Sequence, residues 1–193
     1  MEAFLVSTGL VALAEIGDKT QLLAFLLAAR FRKPLPICLG ILIATLVNHA
    51  CAGALGAWIT AQVSPGTMRW VLGIGFVAMA AWTLVPDKID EEEEGGGKLK
   101  LGVLGTTIVA FFLAEMGDKT QIATVALAAR FDAFVAVVAG TTLGMMLANV
   151  PAVFLGDRIA HKIPVRLVHG IAALIFAAIG VATLLGAGQA LGF

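Results

Sequence analysis

Long apolar stretches, parted by short polar breaks, make up almost the whole chain. The first runs from about Ala3 to Ala29 and ends at Arg30-Phe31-Arg32-Lys33-Pro34. The second runs from about Leu35 to Ala61 and closes at Ser64-Pro65-Gly66. The third spans roughly Met68 to Val85 and stops at Pro86. A polar run follows, from Asp87 through Glu91, Glu92, Glu93 and Glu94 to Lys98. Three more apolar stretches succeed it, at about Leu101 to Ala129, Ala133 to Leu155 and Val165 to Gly186. Each is long enough, as a helix, to cross a hydrocarbon core of about 30 Å. The pattern predicts an all-α polytopic protein with six transmembrane helices.

Composition agrees. Hydrophobic residues make up 60% of the chain, mean hydropathy is +0.97, and only 13% of residues are charged. A soluble domain carries about 25% charged residues. The balance predicts an integral membrane protein. Formal net charge is zero, which leaves no basic face for nucleic acid. Cys38 and Cys51 fall in one predicted helix, about 20 Å apart at 1.5 Å per residue, so they cannot bridge and are read as small apolar fillers. The opening lacks a basic leader, and its apolar run continues through Glu15 and Asp18, so it is read as a first span rather than a cleaved signal.

The second half repeats the first at an offset of 100. Glu15-Ile16-Gly17-Asp18-Lys19-Thr20-Gln21 returns as Glu115-Met116-Gly117-Asp118-Lys119-Thr120-Gln121. Ala28-Ala29-Arg30-Phe31 returns as Ala128-Ala129-Arg130-Phe131, and Gly40 as Gly140. The expected organisation is repeat 1 over residues 1–86, an acidic Gly-rich linker over 87–100, and repeat 2 over 101–193. Three crossings per half is an odd number, so the halves enter the membrane from opposite sides as an inverted repeat.

Loop charge sets the expected orientation. Arg30, Arg32, Lys33, Lys88, Lys98, Lys100, Arg158, Lys162 and Arg166 share one side, and only Arg69 and Arg130 lie on the other. With Lys19 and Lys119 these make up the 13 basic residues. The positive-inside rule puts the larger set in the cytoplasm and both termini outside, with the plasma membrane of a bacterium as the expected location. Glu15 then lies roughly 18 Å from one face and Glu115 roughly 21 Å from the other, so both approach the midplane.

Acidic residues within such segments are expensive and usually functional. Two Glu, two Asp and two Lys, if unpaired, would cost on the order of 15–20 kcal/mol. That exceeds the stability of an ordinary domain. They must pair, face a wet cavity or bind an ion. A purely structural pair of salt bridges is the weaker alternative, since buried ion pairs stabilise poorly compared with apolar packing. On a helix, Glu15 and Asp18 share a face, Lys19 lies on the same side, and Gly17 marks a point where the helix can bend or open.

Glu15, Asp18, Glu115 and Asp118, with Thr20, Gln21, Thr120 and Gln121 beside them, form an all-oxygen donor set. Hard divalent cations such as Ca²⁺ and Mn²⁺ prefer it. Imidazole is available only from His49, which argues against Zn²⁺ or Cu⁺. Crowded carboxylates also favour holding protons when no metal is bound. One site then carries metal or protons, as exchange requires. Lys19 and Lys119 serve either as plain counter-ions or in charge coupling.

Two copies of Glu-x-Gly-Asp-Lys-Thr, one in each apolar half, resemble the Gdt family of cation/proton antiporters, which includes bacterial manganese exporters and Golgi calcium/manganese transporters. The resemblance covers both halves. It implies transport of Mn²⁺ and/or Ca²⁺ against protons, no prosthetic group, and metal-binding roles for Glu15, Asp18, Glu115 and Asp118. A secondary transporter exporting these ions is expected. A cation channel, or an exporter of a small zwitterion such as an amino acid, uses the same residues and stays open. An intramembrane enzyme is disfavoured, because no nucleophile–base pair is evident. The expected partners are divalent ions, protons and the lipid bilayer, with a homo-oligomer left open.

Weaker features complete the reading. Asn48, His49 and Asn149 serve as helix-packing hydrogen bonders or as cavity lining. Gly140-x-x-x-Gly144 marks close packing within the bundle. Met145 and Met146 are read as apolar packing. His161 and His169 are expected in or near the last cytoplasmic loop, solvated. Asp157 and Arg158 are read as a helix-end pair. The Glu91–Glu94 run is read as a solvated linker, with cation collection as the minor alternative.

Overall fold

The computed structural model describes residues 1–85, 101–155 and 165–186, all as helices and short connections. The acidic linker, Asp157, Arg158 and His161 lie outside the described residues. The helices are α1 (Glu2–Glu15), α2 (Lys19–Phe31), α3 (Pro34–Gln62), α4 (Pro65–Thr83), α5 (Val103–Glu115), α6 (Lys119–Phe131), α7 (Phe134–Leu155) and α8 (Val165–Leu184). Three of them, α3, α7 and α8, are each long and apolar enough to cross a membrane by length and composition. Leu39, Leu46 and Trp58 on α3, and Leu167 and Leu174 on α8, expose large apolar side chains on the outer surface.

The first and fourth apolar stretches are not single helices. Each is broken at its motif. Glu15 ends α1, Ile16 is extended (φ −65°, ψ 115°), Gly17 has φ +84°, and Asp18 caps α2. Glu115, Met116 (φ −65°, ψ 119°), Gly117 (φ +76°) and Asp118 repeat the turn. This corrects the expectation of Glu15, Asp18 and Lys19 on one helical face. The physical reason is the glycine. A positive φ costs it nothing, so the chain leaves one helix at Glu15 and starts the next at Lys19. The freed backbone groups find partners. Gln21 Oε1 accepts from the Gly17 N–H at 2.9 Å, and Gln121 Oε1 from the Gly117 N–H at 2.7 Å. A Gln three residues past the N-cap reaching back to its entrance is the logic of a capping box.

The helices pack in exchanged pairs. A Cβ on Gly40 of α3 would meet the Leu104 carbonyl and Thr107 of α5. A Cβ on Gly140 of α7 would meet the Phe4 carbonyl and Ser7 of α1, each partner 100 residues away from its counterpart. Gly144 lies against the Thr8 carbonyl, so the Gly-x-x-x-Gly pair packs inside the bundle. On the other flank, α4 meets α8 through Gly73 and Gly180, whose added Cβ atoms would each meet the other's carbonyl. The Phe76 and Phe176 rings stack there at 6.3 Å. The Gly40 and Gly140 contacts thus correspond, residue for residue, at an offset of 100. Small residues let the backbones approach, as in membrane helix pairs generally. The two breaks meet where α1, α2, α5 and α6 come together between α3 and α7.

Candidate functional site

Each break aims a glutamate inward. Glu15 and Glu115 are fully buried. The Thr20 hydroxyl donates to Glu15 Oε2, and the Thr120 hydroxyl to Glu115 Oε2 at 3.0 Å. The other oxygen of each, Oε1, has no hydrogen-bond partner among the described residues. Such an atom is costly to bury and marks a place for a ligand, a proton or a water. One oxygen each from Glu15, Glu115 and Asp118 lie within 4.8 Å of one another. Oxygens on opposite sides of one Ca²⁺ ion stand about 4.6–5.2 Å apart, at bond lengths of about 2.3–2.6 Å. The three oxygens therefore fit around a single hard cation.

Asp18, the fourth acid of the doubled motif, does not join that triplet. Its Oδ1 accepts from the Lys19 N–H at 2.6 Å, and its Oδ2 lies 3.8 Å from Lys119 Nζ. Lys19 Nζ lies 3.9 Å from Asp118 Oδ1. Each lysine thus faces the aspartate of the other half, not the glutamate four residues before it. Lys119 is also 3.4 Å from the Val85 carbonyl.

The flanking polar residues divide. Gln121 donates to Asn48 Oδ1, and Gln21 donates to the Ala148 carbonyl at 3.0 Å. Ala148 stands where Asn48 stands in the first half, so the two glutamines tie the breaks to α3 and α7 in matching ways. His49 is fully buried, and neither ring nitrogen has a hydrogen-bond partner among the described residues. Asn149, its counterpart, donates to the Met145 carbonyl at 3.1 Å and contacts the Met145 sulfur at 2.8 Å, while its Oδ1 is unpartnered. Asn149 therefore has the packing bond, whereas His49 keeps its polar atoms free.

His169 departs from the sequence reading. It is buried rather than solvated, and its Nε2 lies 2.7 Å from the Ile16 carbonyl oxygen at the first break. It has no counterpart in the doubled motif, and position 69 is arginine, so the repeat gave no signal for it.

The profile of the family described as "Divalent cation/proton antiporter GDT1" matches residues 3–91 and again 103–190, one match per half. The chain belongs to this family. GDT1 proteins are transporters, not enzymes, and their cargo is divalent cations and protons. A Vibrio cholerae serotype O1 protein named "Putative manganese exporter" is 49% identical over 184 residues, covering 95% of this chain and 90% of that protein. A "GDT1-like protein" of Synechocystis sp. is 30% identical, covering 91% and 93%. Rice "GDT1-like protein 3" is 29% identical, covering 91% of this chain and 71% of the relative. No solved structure matches.

Proposed function

We propose that this GDT1 protein exports Mn²⁺ or Ca²⁺ from the cytoplasm in exchange for protons, across the plasma membrane of a bacterium. The observation that carries the reading is the triplet of Glu15, Glu115 and Asp118 oxygens within 4.8 Å, buried where two broken helices meet. Metal and protons compete for the same carboxylates. Thr20 and Thr120 hold one oxygen of each glutamate and leave the other for cargo. Asp18 stands at the edge of the site, where it balances Lys119 and supports its own helix start. The name of the V. cholerae relative favours Mn²⁺.

In this reading α1 and α2 together make one crossing, and so do α5 and α6. At 14 and 13 residues, α1 and α2 are each too short to span about 30 Å alone. With α3, α4, α7 and α8 the count is six, in two inverted halves, with both termini outside. Discontinuous helices at the midplane are where inverted-repeat transporters hold ions. His49, with unpartnered ring nitrogens, follows Asn48, which accepts from Gln121 of the second break. Lys19 and Lys119 each face an aspartate, which disfavours either ammonium as the holder of a zwitterion's carboxylate.

The test is proton flux in proteoliposomes holding a pH dye. Mn²⁺ or Ca²⁺ on one side should drive protons the opposite way, and an amino acid should not. Metal uptake with no proton movement would point to a channel instead.

A further inference from the structure

The two breaks are alike in sequence but not in what covers them. α8 starts against the first. A Cβ on Gly17 would lie 2.4 Å from a Val165 methyl. One turn on, His169 Nε2 sits 2.7 Å from the Ile16 carbonyl. That carbonyl lies between α1 and α2, outside both helices, and a carbonyl only accepts, so Nε2 carries the hydrogen.

The counterparts of Val165 and His169 are Pro65 and Arg69 on α4. They do not cover the second break. Among the described residues nothing lies within 4 Å of a Cβ on Gly117, and Met116 is 57% exposed. Arg69 instead lines a cavity of about 240 Å³ with Met68 and Arg130. Among the described residues α8 packs against the first break, and α4 makes no matching contact with the second. A protein that exposes one site alternately to two sides must treat its halves unequally in each state.

We propose that His169 is a positioning residue for transport. By holding the Ile16 carbonyl it seats α8 on the first break and closes the site beside Glu15, and this bond parts once in each cycle. The proposal rests on the exchange reading for its role in the cycle, but not for the latch itself. One net hydrogen bond shifts a two-state population by roughly 2- to 12-fold.

The test uses the full chain carrying Cys38→Ala, Cys51→Ala and Val165→Cys, reconstituted without metal. The rate at which a water-soluble maleimide modifies position 165 reports whether α8 is seated. His169→Leu should raise that rate by roughly 2- to 12-fold. His169→Gln, which keeps an N–H donor near Nε2, should leave it within about twofold of the parent. In the same variants His169→Leu should lower the maximal Mn²⁺/proton exchange rate while leaving the Mn²⁺ Kd within about twofold, and His169→Gln should restore the rate. Equal labelling in the Leu variant and the parent overturns the latch. Loss of Mn²⁺ binding in step with the labelling change also overturns it, because His169 would then be a plain structural contact. If the Leu variant does not fold, His169→Met, unbranched and without a donor, makes the same comparison. A parent that binds neither Mn²⁺ nor Ca²⁺ defeats the exchange reading, and the metal-free labelling still decides the latch.

Discussion

The Nζ of Lys119 lies 3.8 Å from Oδ2 of Asp18, across the boundary between the two halves. The reciprocal pair, Lys19 with Asp118, is 3.9 Å apart. The pairs differ in setting. The Lys119 side chain is 1% exposed and that of Lys19 is 16%. Breaking a buried pair from one end strands the other charge and costs about 3–5 kcal/mol, whereas a wetter pair loses less. Lys119→Met should therefore destabilise the protein more than Lys19→Met. Adding Asp18→Asn to Lys119→Met should recover much of the loss. Thermal unfolding in detergent measures both, and equal losses for the two lysines would contradict the burial argument.

The two glycines of the breaks make a second asymmetric pair. Both have positive φ, so Gly17→Ala and Gly117→Ala each carry backbone strain of about 1 kcal/mol or more. Only Gly17 also meets Val165, at 2.4 Å from the added Cβ. Gly17→Ala should lower stability and transport clearly more than Gly117→Ala. A similar loss in both would mean that α8 yields to the added methyl at no cost.

The threonines offer a finer probe. Thr20→Val and Thr120→Val keep the side-chain shape and remove the hydroxyl that holds Oε2 of the adjacent glutamate. A hydrogen bond to a charged group is worth about 1.5–3 kcal/mol. If these bonds fix the glutamates for cargo, metal affinity should fall by about tenfold or more in each variant, with folding kept. Titration of purified protein with Mn²⁺ checks it, and an unchanged Kd in both removes the threonines from the site.

Much of this was legible in the sequence. The doubled motif announced itself because charged groups stood inside apolar runs, and the offset of 100 tied Glu15 to Glu115 before any geometry was known. Gly17 and Gly117 marked where the helix opens. What lay hidden was which way the groups turn afterwards. Spacing on a continuous helix put Lys19 on the same side as Glu15. The break rotates them apart, and Lys19 meets Asp118 instead. His169 stayed hidden because its partner is 153 residues away and is a backbone carbonyl, which leaves no mark in side-chain patterns.

The two glutamates carry the last prediction. Glu15 and Glu115 share one small region with Asp118, each with a single unpartnered oxygen. Glu15→Gln and Glu115→Gln keep volume while removing a charge and a proton carrier. If both serve one ion, either change alone should weaken Mn²⁺ binding by about tenfold to a hundredfold and stop metal-driven proton movement. The double variant should then be little worse than either single one, because groups acting on one ion are not additive. Charge balance sharpens this. With Lys19 and Lys119 neutralising the aspartates, replacing two glutamate protons by one divalent ion leaves the buried charge unchanged, and an unbalanced buried charge is costly. Exchange should thus move about two protons per metal ion, and a membrane potential should not drive it. Halved activity in each single variant, with total loss in the double, would instead mean two independent pathways. A proton count near one per ion, with a matching current, would mean that only one glutamate carries the exchange.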